Sequence, residues 1–229
     1  MVKGILFTVI AGICMVCQER DNYEKARLHM VTSQIAGRGI TDSATLRAMR
    51  KVPRHLFVPD NIRRNAYDDN PLPIGYNQTI SQPFIVAWMT ELSQPNKKKK
   101  ALEIGTGSGY QAAVLAETVN MVYTIEIVPE LARSSKSLLH KLGYTNIVAK
   151  EGDGYVGWEE FAPFDIIVVT AACDHIPQPL IDQLAENGRL IMPLGDPGDI
   201  QELILITRKK DRIDQQTISW VRFVPLIRK

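Results

Sequence analysis

Three glycines at alternate positions separate a strand pattern from a helical pattern in the segment ALEIGTGSGYQAAVLA. Glycine lets a backbone approach a ligand closely, so Gly105, Gly107 and Gly109 favour a ligand-binding turn. The helix that follows has unpaired N–H groups at its N-terminus, which also favour a ligand. The segment therefore predicts a strand, a turn and a helix around a nucleotide-like ligand. The alternative is a turn that only allows the helix to pack closely on a sheet.

Strand and helix patterns alternate along the chain from Lys100 to Gly195. Strands that are apolar on both faces need cover on both sides, so the pattern predicts a doubly wound α/β domain with a mostly parallel sheet. No helix separates QELILITRKK from QTISWVRFVPLI, which predicts an antiparallel C-terminal hairpin at the sheet edge. The other predicted strands are 101–104, 122–127, 146–152, 165–172 and 188–195, and the predicted helices are 109–119, 129–142 and 177–186.

Two segments precede this domain, which we place at residues 97–229. Residues 1–17 contain the apolar run GILFTVIAGICMVC, which has the length of a signal-peptide core and is short for a membrane span. A signal, a membrane anchor, a disordered tail and a true start at Met15 remain alternatives. Residues 18–96 predict an N-terminal helical cap with substrate-side loops. Thr41 or Asp42 can cap a helix there, and a further helix is expected to begin near Gln82 or Pro83.

Charge and cysteine content restrict the partners. The 27 Lys and Arg residues against 25 Asp and Glu residues give a net charge of +2, which predicts no nucleic-acid partner. The three cysteines are too few for a disulfide scaffold, and a chain of 229 residues can bury a core without one. Cys14 and Cys17 form a CxxC pair without a second ligand pair, so we expect no metal site.

The glycine turn does not match the common phosphate-binding motifs. No GK[ST] ends it, as a Walker loop requires, and its third glycine comes one residue too early for GxGxxG. Glu103, on the strand just before the turn, disfavours an anionic pyrophosphate. It suits a cationic ligand such as an α-amino group or a sulfonium.

Two further acidic residues follow the next predicted strands. Glu126 ends the second strand, where its side chain can accept hydrogen bonds from both hydroxyls of a ribose. Asp153, in the motif EGDG, is expected at the same sheet edge, within reach of an adenine amino group. The alternatives are a surface charge for Glu126 and an Asx turn before Gly154 for Asp153.

EIGTGSGY, Glu126 and EGDG together resemble the S-adenosylmethionine site of the Rossmann-like class I methyltransferases. Four further motifs, NQTISQPFIVAWMTEL, VVTAAC, GRLIMPLG and WVRFVPL, resemble the protein-L-isoaspartate (D-aspartate) O-methyltransferase family, from about Asn22 to Leu226. The resemblance implies methyl transfer from S-adenosylmethionine to the free carboxylate of L-isoaspartyl residues in damaged proteins, with activity on D-aspartyl residues open. S-adenosylhomocysteine is then released, and the methyl ester collapses to a succinimide that starts the repair.

The resemblance also assigns residues. Ser81, in TISQP, is implied as the catalytic residue, hydrogen-bonded to the acceptor carboxylate, although it can also be the N-cap of the following helix. A carboxylate is ionised at neutral pH, so no general base is needed. The implied substrate-binding residues are Thr79, Ile80, Ser81, Val221, Arg222 and Phe223, and the implied cofactor-binding residues are Glu103, Gly105, Thr106, Gly107, Gly109, Glu126, Asp153 and Gly154.

Two other functions stay open: a class I methyltransferase with another acceptor, and a non-catalytic nucleoside-binding module. An Asn/Asp-Pro-Pro-Tyr type motif would favour a nitrogen acceptor, and the chain has TAACDHIP at that position. We expect a monomer. We also expect it in the cytoplasm, because S-adenosylmethionine is a cytosolic metabolite. The apolar leader, if retained, would instead favour export or membrane tethering.

Overall fold

The computed structural model describes residues 21–228, so the predictions for residues 1–17 lie outside the described residues. A two-stranded antiparallel hairpin, β1 (Leu72–Gly75) and β2 (Gln78–Ile80), precedes the main sheet. The main sheet contains β3 (Lys100–Ile104), β4 (Met121–Glu126), β5 (Ile147–Glu151), β6 (Phe164–Val169), β7 (Leu184–Leu194), β8 (Gln201–Arg208) and β9 (Ile213–Val221). The α-helices are α1 (21–29, continued by a π-helix over Met30–Ile35), α2 (Ser43–Lys51), α3 (Pro83–Leu92), α4 (Tyr110–Thr118), α5 (Pro129–Lys141) and α6 (Gln178–Asp182).

The seven strands of the main sheet lie in the order β5-β4-β3-β6-β7-β8-β9. The pairs from β5 to β7 are parallel, and β8 and β9 add an antiparallel hairpin at the edge. This confirms the predicted doubly wound sheet with its C-terminal hairpin. The chain runs outward from β3 to β5 and then crosses back to β6. The strand order therefore reverses between β3 and β6, and the crevice outside their carboxyl ends is where such sheets bind ligands.

The N-terminal cap packs directly on the sheet domain. One continuous cluster of buried side chains contains Met30 and Met49 from the cap together with Val114 of α4 and Ile166 of β6. Nearly all of α4 is buried as a result, because the sheet covers one side of it and the cap covers another.

The second helix of the cap and α3 both begin as predicted, but the residue that caps α3 differs from the alternative given for Ser81. Asp42 is the N-cap of α2, and its side chain accepts a hydrogen bond from the backbone N–H of Thr45 at 2.7 Å. The N-cap residue of α3 is Gln82, without a side-chain cap bond, and Pro83 occupies the first turn. Ser81 as the N-cap was therefore wrong. Pro83 has no N–H to donate, so the first turn needs less from a capping side chain.

Several predicted boundaries needed correction. The helix predicted at 177–186 is only Gln178–Asp182, and the strand predicted at 188–195 begins earlier, at Leu184. Gln183 separates the two elements, because its buried side chain accepts from the N–H of Trp158 at 2.7 Å and donates to the Val156 carbonyl at 2.8 Å. The strand predicted at 165–172 ends at Val169, and the last strand ends at Val221.

Within residues 21–228, no helix is both long enough and apolar enough to cross a membrane.

Candidate active site

The glycine turn follows β3 and lies at the point where the strand order reverses. Gly105, Gly107 and Gly109 have φ values of 93°, 52° and 89°, in the left-handed region that favours glycine. A Cβ on Gly105 would lie 2.5 Å from the Oγ1 atom of Thr170, which follows β6. The Thr170 hydroxyl donates to the Gly105 carbonyl at 2.7 Å. Thr170 therefore fixes the turn from the neighbouring strand, at a distance that only glycine permits.

Glu126, at the end of β4, holds the other side of the turn. Its carboxylate accepts from the N–H of Gly107 at 2.7 Å through Oε2 and from the N–H of Val128 at 2.9 Å through Oε1. The residue is 5% exposed, and it lines a cleft. Each carboxylate oxygen has a second lone pair, so the anchored side chain can still accept hydrogen bonds from a ligand.

We call this cleft the glycine cleft. The C-terminal segment closes one side of it, because the N–H of Ala172 donates to the Val224 carbonyl at 2.8 Å and the N–H of Leu226 donates to the Ala172 carbonyl at 2.7 Å. The lining residues are Gln78, Thr79, Ile104, Gly105, Gly107, Ile125, Glu126, Ile127, Val128, Gly154, Thr170, Ala171, Val224, Pro225, Leu226 and Ile227.

A second cavity of about 330 Å³, which we call the rim cavity, lies beside the first. No hydrogen bond joins the hydroxyl of its Ser81 to another described residue, so that hydroxyl is available to a ligand. The exposed Arg222 forms no ion pair within residues 21–228. The lining residues are Pro71, Thr79, Ser81, Gln82, Ile85, Thr170, Trp220, Val221, Arg222 and Phe223.

Thr79 and Thr170 line both the glycine cleft and the rim cavity. A smaller recess connects the two, and Ser81, Gly107 and Thr106 are among its lining residues. Ile80 is buried and faces this recess rather than the rim cavity. A ligand in the cleft and a second ligand in the cavity would therefore meet at the two threonines.

Glu103 is separated from these spaces. Its side chain is fully buried behind the turn and lines neither the glycine cleft nor the rim cavity. The Thr124 hydroxyl donates to Oε2 of Glu103, and the Thr124 and Thr106 hydroxyl oxygens lie 2.5 Å apart. Burial raises the pKa of Glu103 to about 8. The buried side chain therefore favours its neutral form at neutral pH, and the hydroxyls of Thr124 and Thr106 link it to the turn.

Asp153 and Gly109 also lie outside the lining of the glycine cleft. Asp153 forms the Asx turn that the sequence left open, since its Oδ1 accepts from the N–H of Tyr155 at 2.9 Å. Its other carboxylate oxygen lies 3.6 Å from Nε of Arg228. A Cβ on Gly109 would lie 3.3 Å from Leu139, so this glycine allows close packing of α5.

Two residues at the site were missed by the sequence analysis. Thr170 directly follows β6, and the rule that singled out Glu126 at the end of β4 could have found it. Trp220 is 66% exposed at the end of β9 and lines the rim cavity. The sequence signal for Trp220 was weaker, because an exposed tryptophan in an edge strand indicates a site only once the cavity beside it is known.

Three features of the fold and the site are relevant to the class of protein. They are a doubly wound sheet, a glycine turn at the reversal of strand order, and an anchored acidic side chain at the end of the next strand. Together with the comparisons that follow, these features identify a class I methyltransferase, which uses S-adenosylmethionine. The family model described as protein-L-isoaspartate (D-aspartate) O-methyltransferase matches residues 25–229. The chain belongs to this family.

Relatives and solved structures agree with this assignment. The chain is 52% identical over 222 residues to protein-L-isoaspartate O-methyltransferase 2 of Shewanella sediminis, covering 97% of this chain and 91% of the relative. It is 57% identical over 200 residues to protein-L-isoaspartate O-methyltransferase of Gloeobacter violaceus, covering 87% and 98%. A Plasmodium falciparum structure described as a protein-L-isoaspartate O-methyltransferase in complex with S-adenosyl-L-homocysteine matches with a TM-score of 0.74 and 28% identity, covering 87% and 97%.

Proposed function

We propose that this chain transfers a methyl group from S-adenosylmethionine to the free carboxylate of L-isoaspartyl residues in damaged proteins and peptides. The observation that carries the proposal is the junction at Thr79 and Thr170, which line both the glycine cleft and the rim cavity. A donor in the cleft and an acceptor in the cavity would be adjacent there. Family membership supports the same reaction.

The residues of the glycine cleft fit the methyl donor. A backbone that only glycine permits at Gly105 leaves room for a ligand against the turn, and the Glu126 carboxylate is placed to accept from the ribose hydroxyls. Gly154 lines the same cleft, and the Asx turn of Asp153 determines its position. S-adenosylmethionine supplies an activated methyl group on a sulfonium. In this proposal Glu103 acts indirectly, by holding Thr124 and Thr106 behind the turn.

The rim cavity fits a carboxylate attached to an extended peptide. Arg222 provides a positive charge at the cavity, and the Ser81 hydroxyl is free to donate a hydrogen bond to the acceptor. Val221 and Phe223 would contact the peptide on either side of Arg222. Thr79 and Ile80 shape the boundary between the acceptor and the donor.

The reaction needs little acid–base chemistry from the protein. The acceptor carboxylate is already ionised at neutral pH, so the residues have to exclude water and align the acceptor oxygen with the methyl group. Effective molarities of aligned reactants are large enough for positioning to supply much of the rate enhancement. In this proposal Ser81 orients the acceptor and does not attack as a nucleophile.

The repair outcome can be tested directly. The full chain would be incubated with S-adenosylmethionine and a peptide containing one L-isoaspartyl residue, and the peptide species would be followed by chromatography. We expect the normal aspartyl peptide to appear through the succinimide, only when the cofactor is present. Unchanged isoaspartyl peptide, with no S-adenosylhomocysteine formed, would contradict the proposal.

We also propose that the protein acts in the cytoplasm, because its methyl donor is a cytosolic metabolite. We further propose that it is a monomer. The test is the N-terminal sequence of the native protein from fractionated cells, read by mass spectrometry. A mature N-terminus near residue 18 in an extracytoplasmic fraction would contradict this location. Light scattering on the purified protein tests the oligomeric state, and a dimer mass would contradict the monomer.

A further inference from the structure

Three consecutive residues after β6 bring different metal-binding side chains together. Cys173, Asp174 and His175 each offer one ligand atom, and these atoms lie within 4.8 Å of one another. We propose that they form a binding site for a divalent transition metal ion of the zinc or cobalt class. The sequence analysis expected no metal site, because the CxxC pair of Cys14 and Cys17 has no second ligand pair, and it did not consider these three adjacent residues as ligands.

The distances within the cluster fit a single ion. The Cys173 Sγ atom lies 3.8 Å from Oδ1 of Asp174, and Nδ1 of His175 lies 2.5 Å from the same oxygen. A zinc ion holds sulfur at about 2.3 Å and nitrogen or oxygen at about 2.0–2.2 Å, so its ligand atoms are roughly 3.3–3.8 Å apart. The separation of His175 from Asp174 must therefore widen by about one ångström. Both side chains are more than half exposed, at 59% for His175 and 74% for Asp174, so the Asp174 carboxylate can rotate without disturbing the core.

The cysteine is buried, unlike its two neighbours. Cys173 is 8% exposed, and its backbone carbonyl accepts from the N–H of Gly195 at 2.9 Å. The thiolate that metal binding requires would be a soft ligand, and the imidazole and carboxylate complete a set that suits zinc or cobalt. Thiolate and carboxylate together carry a charge of −2, which balances a divalent ion.

A fourth side chain orients the histidine as metal sites require. The hydroxyl of Tyr155 is hydrogen-bonded to Nε2 of His175, which leaves Nδ1 facing Asp174. Ligating histidines usually have their second ring nitrogen held in this way, by a partner outside the ligand set. Tyr155 is itself fixed, because its N–H donates to Asp153 and the Arg228 guanidinium lies 3.9 Å from its ring centroid. Tyr155 is therefore a positioning residue for the proposed site.

The site would lie next to the glycine cleft. Ala171, two residues before Cys173, lines the cleft, and so does Gly154, which precedes Tyr155. The two segments that carry the ligands and their support therefore also border the proposed cofactor site. A bound ion would fix His175, whose hydrogen bond to Tyr155 links the two segments, so we expect metal occupancy to change the affinity for S-adenosylhomocysteine.

The test uses the full chain with Cys14→Ser and Cys17→Ser, because that CxxC pair could bind metal independently. Co²⁺ is titrated into the protein, and the near-ultraviolet charge-transfer absorption of a thiolate ligand is followed together with the visible bands of the ion. We expect one Co²⁺ per chain with a thiolate band, displaced by Zn²⁺. Cys173→Ser should abolish the band, and Asp174→Asn and His175→Gln should each weaken binding by more than about tenfold.

Two sets of variants distinguish a specific metal site from nonspecific binding at the surface. Tyr155→Phe removes no ligand, and we expect it to weaken Co²⁺ binding by about tenfold. His140→Gln and Asp182→Asn change exposed residues elsewhere and should leave the titration unchanged. Circular dichroism checks the folding of each variant. If Cys173→Ser fails to fold, the Co²⁺ titrations of Asp174→Asn and His175→Gln, which change exposed residues, test the proposal. Absence of a thiolate band, or binding that ignores Asp174→Asn and His175→Gln, would overturn the proposal.

Discussion

The carboxylate of Glu126 accepts a hydrogen bond from the backbone N–H of Gly107 at 2.7 Å, which joins the end of one strand to the ligand-binding turn after its neighbour. The same carboxylate lines the glycine cleft. Glu126 therefore shapes the turn and also faces the ligand. Loss of its charge should affect ligand binding more than loss of an ordinary surface carboxylate.

Glu126→Gln should weaken S-adenosylhomocysteine binding by about 10- to 100-fold, because hydrogen bonds to a charged group contribute roughly 1.5–3 kcal/mol. Isothermal titration calorimetry measures the change in Kd. Glu130→Gln is the matched control, since Glu130 is an exposed residue in the first turn of α5. An unchanged Kd for Glu126→Gln would show that this carboxylate does not contact the cofactor.

Ser81→Ala should separate acceptor positioning from cofactor binding. We expect kcat/KM for an isoaspartyl peptide to fall by about tenfold or more, because the acceptor loses one hydrogen bond of about 1.5–3 kcal/mol to its charged carboxylate. The Kd for S-adenosylhomocysteine should change little. Ser134→Ala, on α5, is the control. Equal losses in kcat/KM and cofactor affinity would instead indicate a role in shaping the connecting recess.

Arg222→Gln should raise KM for the isoaspartyl peptide with a smaller effect on kcat. An exposed charge is screened by water and salt, so we expect about a fivefold increase that diminishes at high ionic strength. Initial rates at low and high salt measure both effects. Arg212→Gln provides the comparison, because Arg212 lies in the turn before β9 and pairs with Asp214. If the KM values of the wild type and of Arg222→Gln are both independent of salt, the proposed charge interaction between Arg222 and the peptide is contradicted.

Glu103 should make folding stability depend on pH. Burial raises its pKa from 4.5 to about 8, so the folded protein retains a proton that the unfolded chain releases within this range. The resulting stabilisation is complete below about pH 4.5 and is lost as the pH rises through about 8. The glutamine of the Glu103→Gln variant stays neutral at every pH. The free energy of unfolding of this variant should therefore fall less steeply with pH than that of the wild type.

Urea denaturation at about pH 5 and about pH 8 measures this slope in the wild type, Glu103→Gln and the exposed control Glu159→Gln. His55 acts in the opposite sense, because burial lowers its pKa to about 4 and the unfolded chain takes up the proton first. It is present in all three proteins, so its contribution cancels in the comparison. The same slope in the wild type and Glu103→Gln would contradict the assignment.

Local patterns were sufficient to predict the glycine turn and the position of Glu126. Each depends on a strand followed directly by ligand-binding residues, and parallel strands bring their carboxyl ends to one edge. The early end of α6 was not predictable in this way, because it depends on the side chain of Gln183 reaching residues 156 and 158. The position of Glu103 away from the cleft was not predictable either. It depends on which face of β3 carries the side chain once α4 and β4 are packed.

The most direct test of the proposed reaction is methyl transfer from labelled S-adenosylmethionine to two peptides that differ only in one linkage. One peptide contains an L-isoaspartyl residue and the other contains normal aspartate at the same position. We predict base-labile label, as a methyl ester gives, on the isoaspartyl peptide alone. Equal labelling of both peptides, or labelling of neither by protein that binds S-adenosylhomocysteine, would contradict the assignment of the acceptor.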